Sequence, residues 1–322
     1  MTVDEQYGGS ALKRLIAMAM GLAVLSTAAL ADTPYTIAFS VKTVTNDDFQ
    51  KAIATSIQEA VEKSGNKFLL VTAGEETGVS IQVNQVEDLI AKRVDAIILN
   101  PMDGKAVVPV LKKAQAAKIP VIVVDSSVEK GNEGLYISYV GTDNFNAGKT
   151  AGQRMVKELG GRGNVLIVRG ANGSLAGDLR VDGFKAGIQG SGLVVVGEQP
   201  GNWTNSVAMQ VAENMLQANK QVDGLFSASD VMLDGILQAA GDANRTGIKI
   251  LSVDGSKKAV DLVEQGAIVG TMAQFPGKMG PIAVANLLAV LGGKAGDIPK
   301  VIDSGTMVYD KTNLAEARKW AF

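Results

Sequence analysis

The chain has 322 residues, 31 Lys+Arg against 33 Asp+Glu, a formal charge of −2, and neither Cys nor His. A near-neutral chain without a basic block carries no electrostatic footprint for nucleic acid. The two missing residue types remove disulfides, thiolate metal sites and the commonest general base and metal ligand. Hydrophobic residues make up 46% and aromatic residues 5%, so the core is built from Ala, Val, Ile and Leu. That composition suits helices packed on a parallel sheet.

Lys13 and Arg14 precede an apolar run from Leu15 to Leu25, then Ala29-Leu30-Ala31 and Asp32. This is the layout of a secretory signal: a positive start, a short apolar stretch and small residues at the cleavage point. Residues 1–31 are read as that signal, and the mature chain is expected to be soluble, with no lipid anchor because no Cys follows the cleavage point.

Strands then read at Thr36–Val41, Phe68–Thr72, Ala96–Asn100 and Val121–Asp125, each a short aliphatic run ending in polar or turn residues. Between them the spacing predicts helices at Asp48–Ser64, Val79–Arg93 and Lys105–Lys118. The rhythm restarts with strands at Val165–Arg169, Leu193–Val196, Gly224–Ser227, Ile248–Val253 and Ile268–Met272. Helices are predicted at Phe145–Leu159, Leu175–Gln189, Thr204–Asn219 and Leu233–Gly241. Two β-α-β-α series imply an α/β protein with two doubly wound parallel sheets, joined through a short connection around Val140–Asn144.

Ligands of such sheets bind beyond the carboxyl ends of the strands, and here those ends are polar. At them stand Asn46 and Phe49, Asn100-Pro101, Asp125, Gly141-Thr142-Asp143-Asn144, Arg180-Val181-Asp182-Gly183-Phe184, Val253-Asp254-Gly255 and Ala273-Gln274-Phe275-Pro276. In that order and spacing they resemble the ribose/galactose branch of the periplasmic sugar-binding proteins, within the type I periplasmic-binding-protein superfamily. The resemblance implies discontinuous lobes, 32–142 plus 275–303 and 143–274 plus 304–322, joined by a three-strand hinge near Thr142, Gln274 and Asp303. It also implies a role as the substrate-binding component of an ABC transporter. Such a protein works in the periplasm, hands a sugar or polyol to a membrane permease and, in some relatives, reports to a chemotaxis receptor.

Carried over residue by residue, the resemblance places Lys42, Asn46, Asp48, Phe49, Asp125, Ser126, Thr142, Asp178, Trp203, Ser229, Asp254 and Gln274 at the ligand. Their chemistry fits a sugar, since ionised Asp accepts strongly from hydroxyls and aromatic faces cover C–H patches. The chain departs from the ribose pattern where Ser126 and Asp178 replace arginines, Lys42 a small polar residue and Asp48 an aromatic. Either Lys42 pairs with a nearby carboxylate and the ligand is a neutral pentose, hexose or polyol, or surplus carboxylates favour a cationic ligand such as an amino sugar. Either way, the site departs from the pattern that marks ribose, which stays among the ligands to be tested.

Other readings of this pattern fare worse. A repressor of the lactose-repressor type would need a basic helix-turn-helix where the apolar segment stands. Asn146-Ala147-Gly148-Lys149-Thr150 lacks the first glycine spacing of a phosphate loop. No nucleophile–base pair stands at credible spacing for an enzyme. No catalytic residue, metal or cofactor is expected.

Overall fold

Strand β1 (Thr36–Val41) is buried along almost its whole length, and its alternate side chains serve two different cores. Ile37, Phe39 and Val41 pack with Ile53, Ile57 and Met279 on one face. Ala38 packs with Leu89, Leu99 and Leu111 on the other. A strand in the middle of a sheet covered on both faces requires this pattern. The computed structural model describes residues 33–45, 47–74 and 78–322. The signal reading of residues 1–31 and the candidate Asn46 lie outside the described residues.

The first sheet adds β2 (Lys67–Thr72), β3 (Ala96–Leu99), β4 (Val121–Val124), β5 (Tyr139–Gly141) and β11 (Val301–Asp303). Its order is β11-β5-β4-β3-β1-β2, with every pairing parallel. Helices α1 (Asp48–Lys63), α2 (Val79–Ala91) and α3 (Val108–Ala116) fill its crossovers, and α9 (Pro276–Leu291) returns late in the chain to pack on α1. Helix α3 begins three residues later than its spacing predicts. The reason is local: Asp103 Oδ1 accepts from the amides of Lys105 and Ala106 and holds that stretch as a turn.

The second sheet contains β6 (Arg162–Arg169), β7 (Gly192–Pro200), β8 (Gly224–Ser227), β9 (Lys249–Asp254), β10 (Gly270–Gln274) and β12 (Thr306–Asp310). Its order, β12-β10-β9-β8-β6-β7, repeats the first, except that β12 runs antiparallel to β10. Helices α4 (Asn144–Glu158), α5 (Leu175–Ile188), α6 (Asn205–Ala218), α7 (Leu233–Asp242), α8 (Lys257–Gln265) and α10 (Leu314–Trp320) flank it. Alternation again divides the strands, with Leu166 and Val168 in one core and Val165 and Ile167 in the other.

The chain passes between the sheets after Gly141, after Gln274 and after Asp303. The first and third passages are laced together. Ser304 N donates to Gly141 O (2.7 Å), Asp143 N to Asp303 Oδ1 (3.2 Å), and the hydroxyls of Thr142 and Ser304 stand 3.4 Å apart.

One helix pair is closer than ordinary packing allows. A methyl group added at Gly148 of α4 would lie 2.0 Å from Arg180 O, and one at Gly183 of α5 would lie 2.0 Å from Phe145 O. The backbones of α4 and α5 therefore touch.

Candidate ligand-binding cleft

The carboxyl ends of both sheets face one cavity, with about 360 Å³ of space among its lining residues, part of it open to solvent. From the first half, Lys42 extends from the end of β1, and Asp125 and Ser126 follow β4. Lys42 Nζ donates to Ser126 Oγ (3.2 Å) and stands 3.7 Å from Asp125 Oδ2. The same carboxylate oxygen accepts from Gln50 Nε2 (3.1 Å) and Asn100 Nδ2 (2.9 Å). Lys42 thus supplies the positive charge beside Asp125 that Ser126 cannot.

In the second half Asp254, the last residue of β9, accepts from Arg180 Nη1 (3.2 Å), Gln274 Nε2 (2.6 Å), Asp230 N (3.1 Å) and Ser229 Oγ. Burial raises its carboxyl pKa, while Arg180 and these donors oppose the rise. Behind it, Asp230 is fully enclosed and pushed up to about 7 by burial and by the charge of Asp254. Its oxygens accept from Ser252 Oγ, Thr271 Oγ1 (2.9 Å), Gly255 N (2.8 Å), and Ser256 N and Oγ (2.9 and 3.0 Å). Asp230 braces the loop that carries Asp254 and does not wall the inner cavity.

Two aromatic side chains complete the walls from opposite halves. Phe49, in the first turn of α1, is 7% exposed and belongs to the core as well as the cavity. Trp203 lies over Gly170 and Gly177, where an added methyl would meet its ring at 2.0 and 3.0 Å. The Gly170-Ala171-Asn172-Gly173 turn is therefore also the seat of the indole.

Backbone strain gathers here as well. Asp125 (φ 60°), Asn202 (φ 52°), Trp203 (φ 59°) and Asp254 (φ 133°) occupy conformations that L-residues avoid. Each costs on the order of 1–3 kcal/mol and persists where surrounding contacts hold it.

Of the sequence-derived candidates, the structure brings Lys42, Phe49, Asp125, Ser126, Trp203, Ser229 and Asp254 to one cavity. Gln274 stands behind Asp254 as its donor, its own Oε1 buried and, among the described residues, without a partner. Thr142 is in the first passage between the sheets, not in the cavity wall. Asp178 turns away and pairs with Arg169, outside the cavity. Asp48 is exposed, because the preceding residue, Asp47, caps α1 by accepting from Gln50 N (3.0 Å). That capping turn brings Asp47 to the cavity and points Asp48 toward solvent and an outer cavity. Burial pushes the Asp47 carboxyl up to about 6.

Sequence reasoning also left out Gln50, Ser174, Ala176, Arg180 and Val231 as wall residues. The signal for Asp47 was present: the first of two aspartates before a helical run is the natural cap.

Two doubly wound halves of one topology closing on a polar cavity define a class, that of two-lobed small-ligand captors. A family model described as a periplasmic binding protein domain matches residues 37–295, and the chain belongs to that family. The ribose import binding protein of Haemophilus influenzae is 30% identical over 280 residues, covering 86% of this chain and 92% of that protein. An ABC transporter solute binding protein from Agrobacterium vitis with bound D-fucose superposes with a TM-score of 0.83 at 30% identity, covering 89% of this chain and all of that one. One from Actinobacillus succinogenes with bound D-allose gives a TM-score of 0.80 at 30% identity, covering 88% of this chain and 100% of that one.

Proposed function

We propose that the protein captures a monosaccharide or related polyol in this cleft and delivers it to the membrane permease of an ABC importer. In this reading the mature chain works in the periplasm after loss of residues 1–31. The observation that carries it is the wall itself: two carboxylate–cation pairs facing each other across a cavity that Trp203 and Phe49 cover. Carboxylates accept from sugar hydroxyls, the cations donate to ring and hydroxyl oxygens, and the aromatic rings cover apolar C–H faces.

Segments 32–142 plus 275–303 and 143–274 plus 304–322 act as lobes, with the three passages as hinge. Lys42, Asp125, Ser126, Ser229, Asp254, Phe49 and Trp203 hold the ligand, Gln274 orients Asp254, and Thr142 belongs to the hinge. A permease, or a chemotaxis receptor, would read the closed form.

Thermal denaturation of the mature protein against neutral sugars, polyols and amino sugars tests the reading. A ligand at 100 times its Kd adds about 2.7 kcal/mol of stability, which appears as a clear rise in Tm. If no member of the three sets raises Tm, the sugar-capture reading fails.

A further inference from the structure

The charges on the cavity wall do not balance. Three carboxylates, Asp47, Asp125 and Asp254, face two cations, Lys42 and Arg180. Each cation is already committed, Lys42 beside Asp125 and Arg180 beside Asp254. Asp47 is left over. Its Oδ1 accepts from Gln50 N, and among the described residues its other oxygen accepts no hydrogen bond and no cationic side chain lies within 4.0 Å of the carboxylate.

The outer cavity, of about 570 Å³, deepens the imbalance. It shares Asp47 and Asp254 with the inner one and adds Asp48, Asp230 and Asp234. Its single lysine, Lys258, is held by Asp234. A ligand in the inner cavity therefore meets a wall with one uncompensated carboxylate, beside a second acidic cavity. A neutral sugar would seal that charge away from water, and an isolated buried carboxylate is costly. An ammonium group would cancel it, and the neighbouring acidic cavity would favour a cation.

From this juxtaposition we infer that the ligand carries an ammonium group held by Asp47, which makes the substrate class amino sugars or amino polyols. The inference rests on the sugar-capture reading and adds the ligand's charge to it. Asp47 is a specificity residue that the Asp48 alignment conceals.

The rival for Asp47 is a proton, and pH separates the two. The groups that share its cavities are Lys42, Asp125, Arg180 and Asp254 on the inner side, with Asp48, Asp230, Asp234 and Lys258 on the outer. Burial places the Asp47 proton near pH 6. A cationic ligand then binds more weakly as pH falls below that value, because the carboxylate it needs is neutralised. A neutral ligand binds more tightly over the same range.

The experiment is calorimetric titration of the mature protein with D-glucosamine, D-galactosamine and D-mannosamine and with their parent hexoses, at pH 7.5 and 5. The expected result is an amino sugar bound about 10- to 100-fold more tightly than its parent, as one charge-assisted contact implies. Acidification erodes that preference, and D47N removes most of it. Asn still caps α1, so a ligand-free D47N whose Tm at pH 7.5 is no lower than the wild type's confirms an intact fold. Parent hexoses that bind as well as the amino sugars, and more tightly at pH 5, overturn the inference while leaving sugar capture standing. If both sets fail while a pentose or polyol raises Tm, the inference falls and sugar capture stands; if every neutral sugar, polyol and amino sugar fails, sugar capture falls and this inference with it.

Discussion

The two halves share one strand order, yet they hold their carboxylates differently. In the first, Lys42 stands 3.7 Å from Asp125, and two neutral amides, Gln50 and Asn100, make the direct bonds. In the second, Arg180 contacts Asp254 directly while Nε donates to Asn144 Oδ1 (2.7 Å) and Nη1 also to Ala228 O (2.8 Å). The guanidinium fork bonds several acceptors at once, whereas an ammonium is a single mobile charge. The second half is a fixed anchor. The first half holds its carboxylate chiefly through neutral amides, and it is also where the unmatched Asp47 lies.

Breaking the anchor should have the largest effect. Asp254→Ala leaves Arg180 buried without its partner and should cost about 3–5 kcal/mol in urea unfolding, with ligand binding lost. If Asp125→Ala costs as much, the asymmetry between the halves is wrong. Next, Gly148→Ala forces α4 and α5 apart and should cost roughly 1–3 kcal/mol, with ligand affinity falling because Arg180 moves. An unchanged affinity would mean that the helix seam does not position the guanidinium.

Asp125→Asn keeps an acceptor for Gln50 and Asn100 but removes the charge opposite Lys42. It should weaken ligand binding by about 1.5–3 kcal/mol, with a smaller stability loss than Asp254→Ala. A further effect concerns pH in the ligand-free protein, its size reduced by the partial exposure of Asp47. A carboxyl raised to about 6 in the folded state gives stability that is present below about pH 4 and lost as pH rises to 6. The Tm of the wild type should therefore decline relative to Asp47→Asn across that window, and parallel curves would show that Asp47 is not desolvated.

The central strands were legible because burial on both faces leaves continuous aliphatic runs, as in Thr36–Val41 and Gly224–Ser227. The edges were not. Tyr139–Gly141 and Val301–Asp303 are three residues each, too short for any period, and Val301 is exposed. Ile268–Met272 read as a strand because it is apolar, yet pairing begins at Gly270 and runs to Gln274, where β9 and β12 supply partners.

In the cleft, residues at strand ends were found because the fold class says where to look. Arg180 was visible only as part of a motif, since a mid-helix arginine reads as solvated until the partner helix is known to lie against its backbone. Asp47 and Asp48 are adjacent and chemically identical. Only the capping bond decides which of them enters the cavity.

The contact between Arg180 and Asn144 has a mechanical meaning. Asn144 opens α4 directly after the first passage between the halves, and its amide holds Thr142 O (3.2 Å). One guanidinium therefore links the cavity wall to the first passage between the sheets. If that passage is the hinge of the proposed two-lobed reading, a ligand that displaces Arg180 would pull on it through a single bond, as a short lever transmits torque.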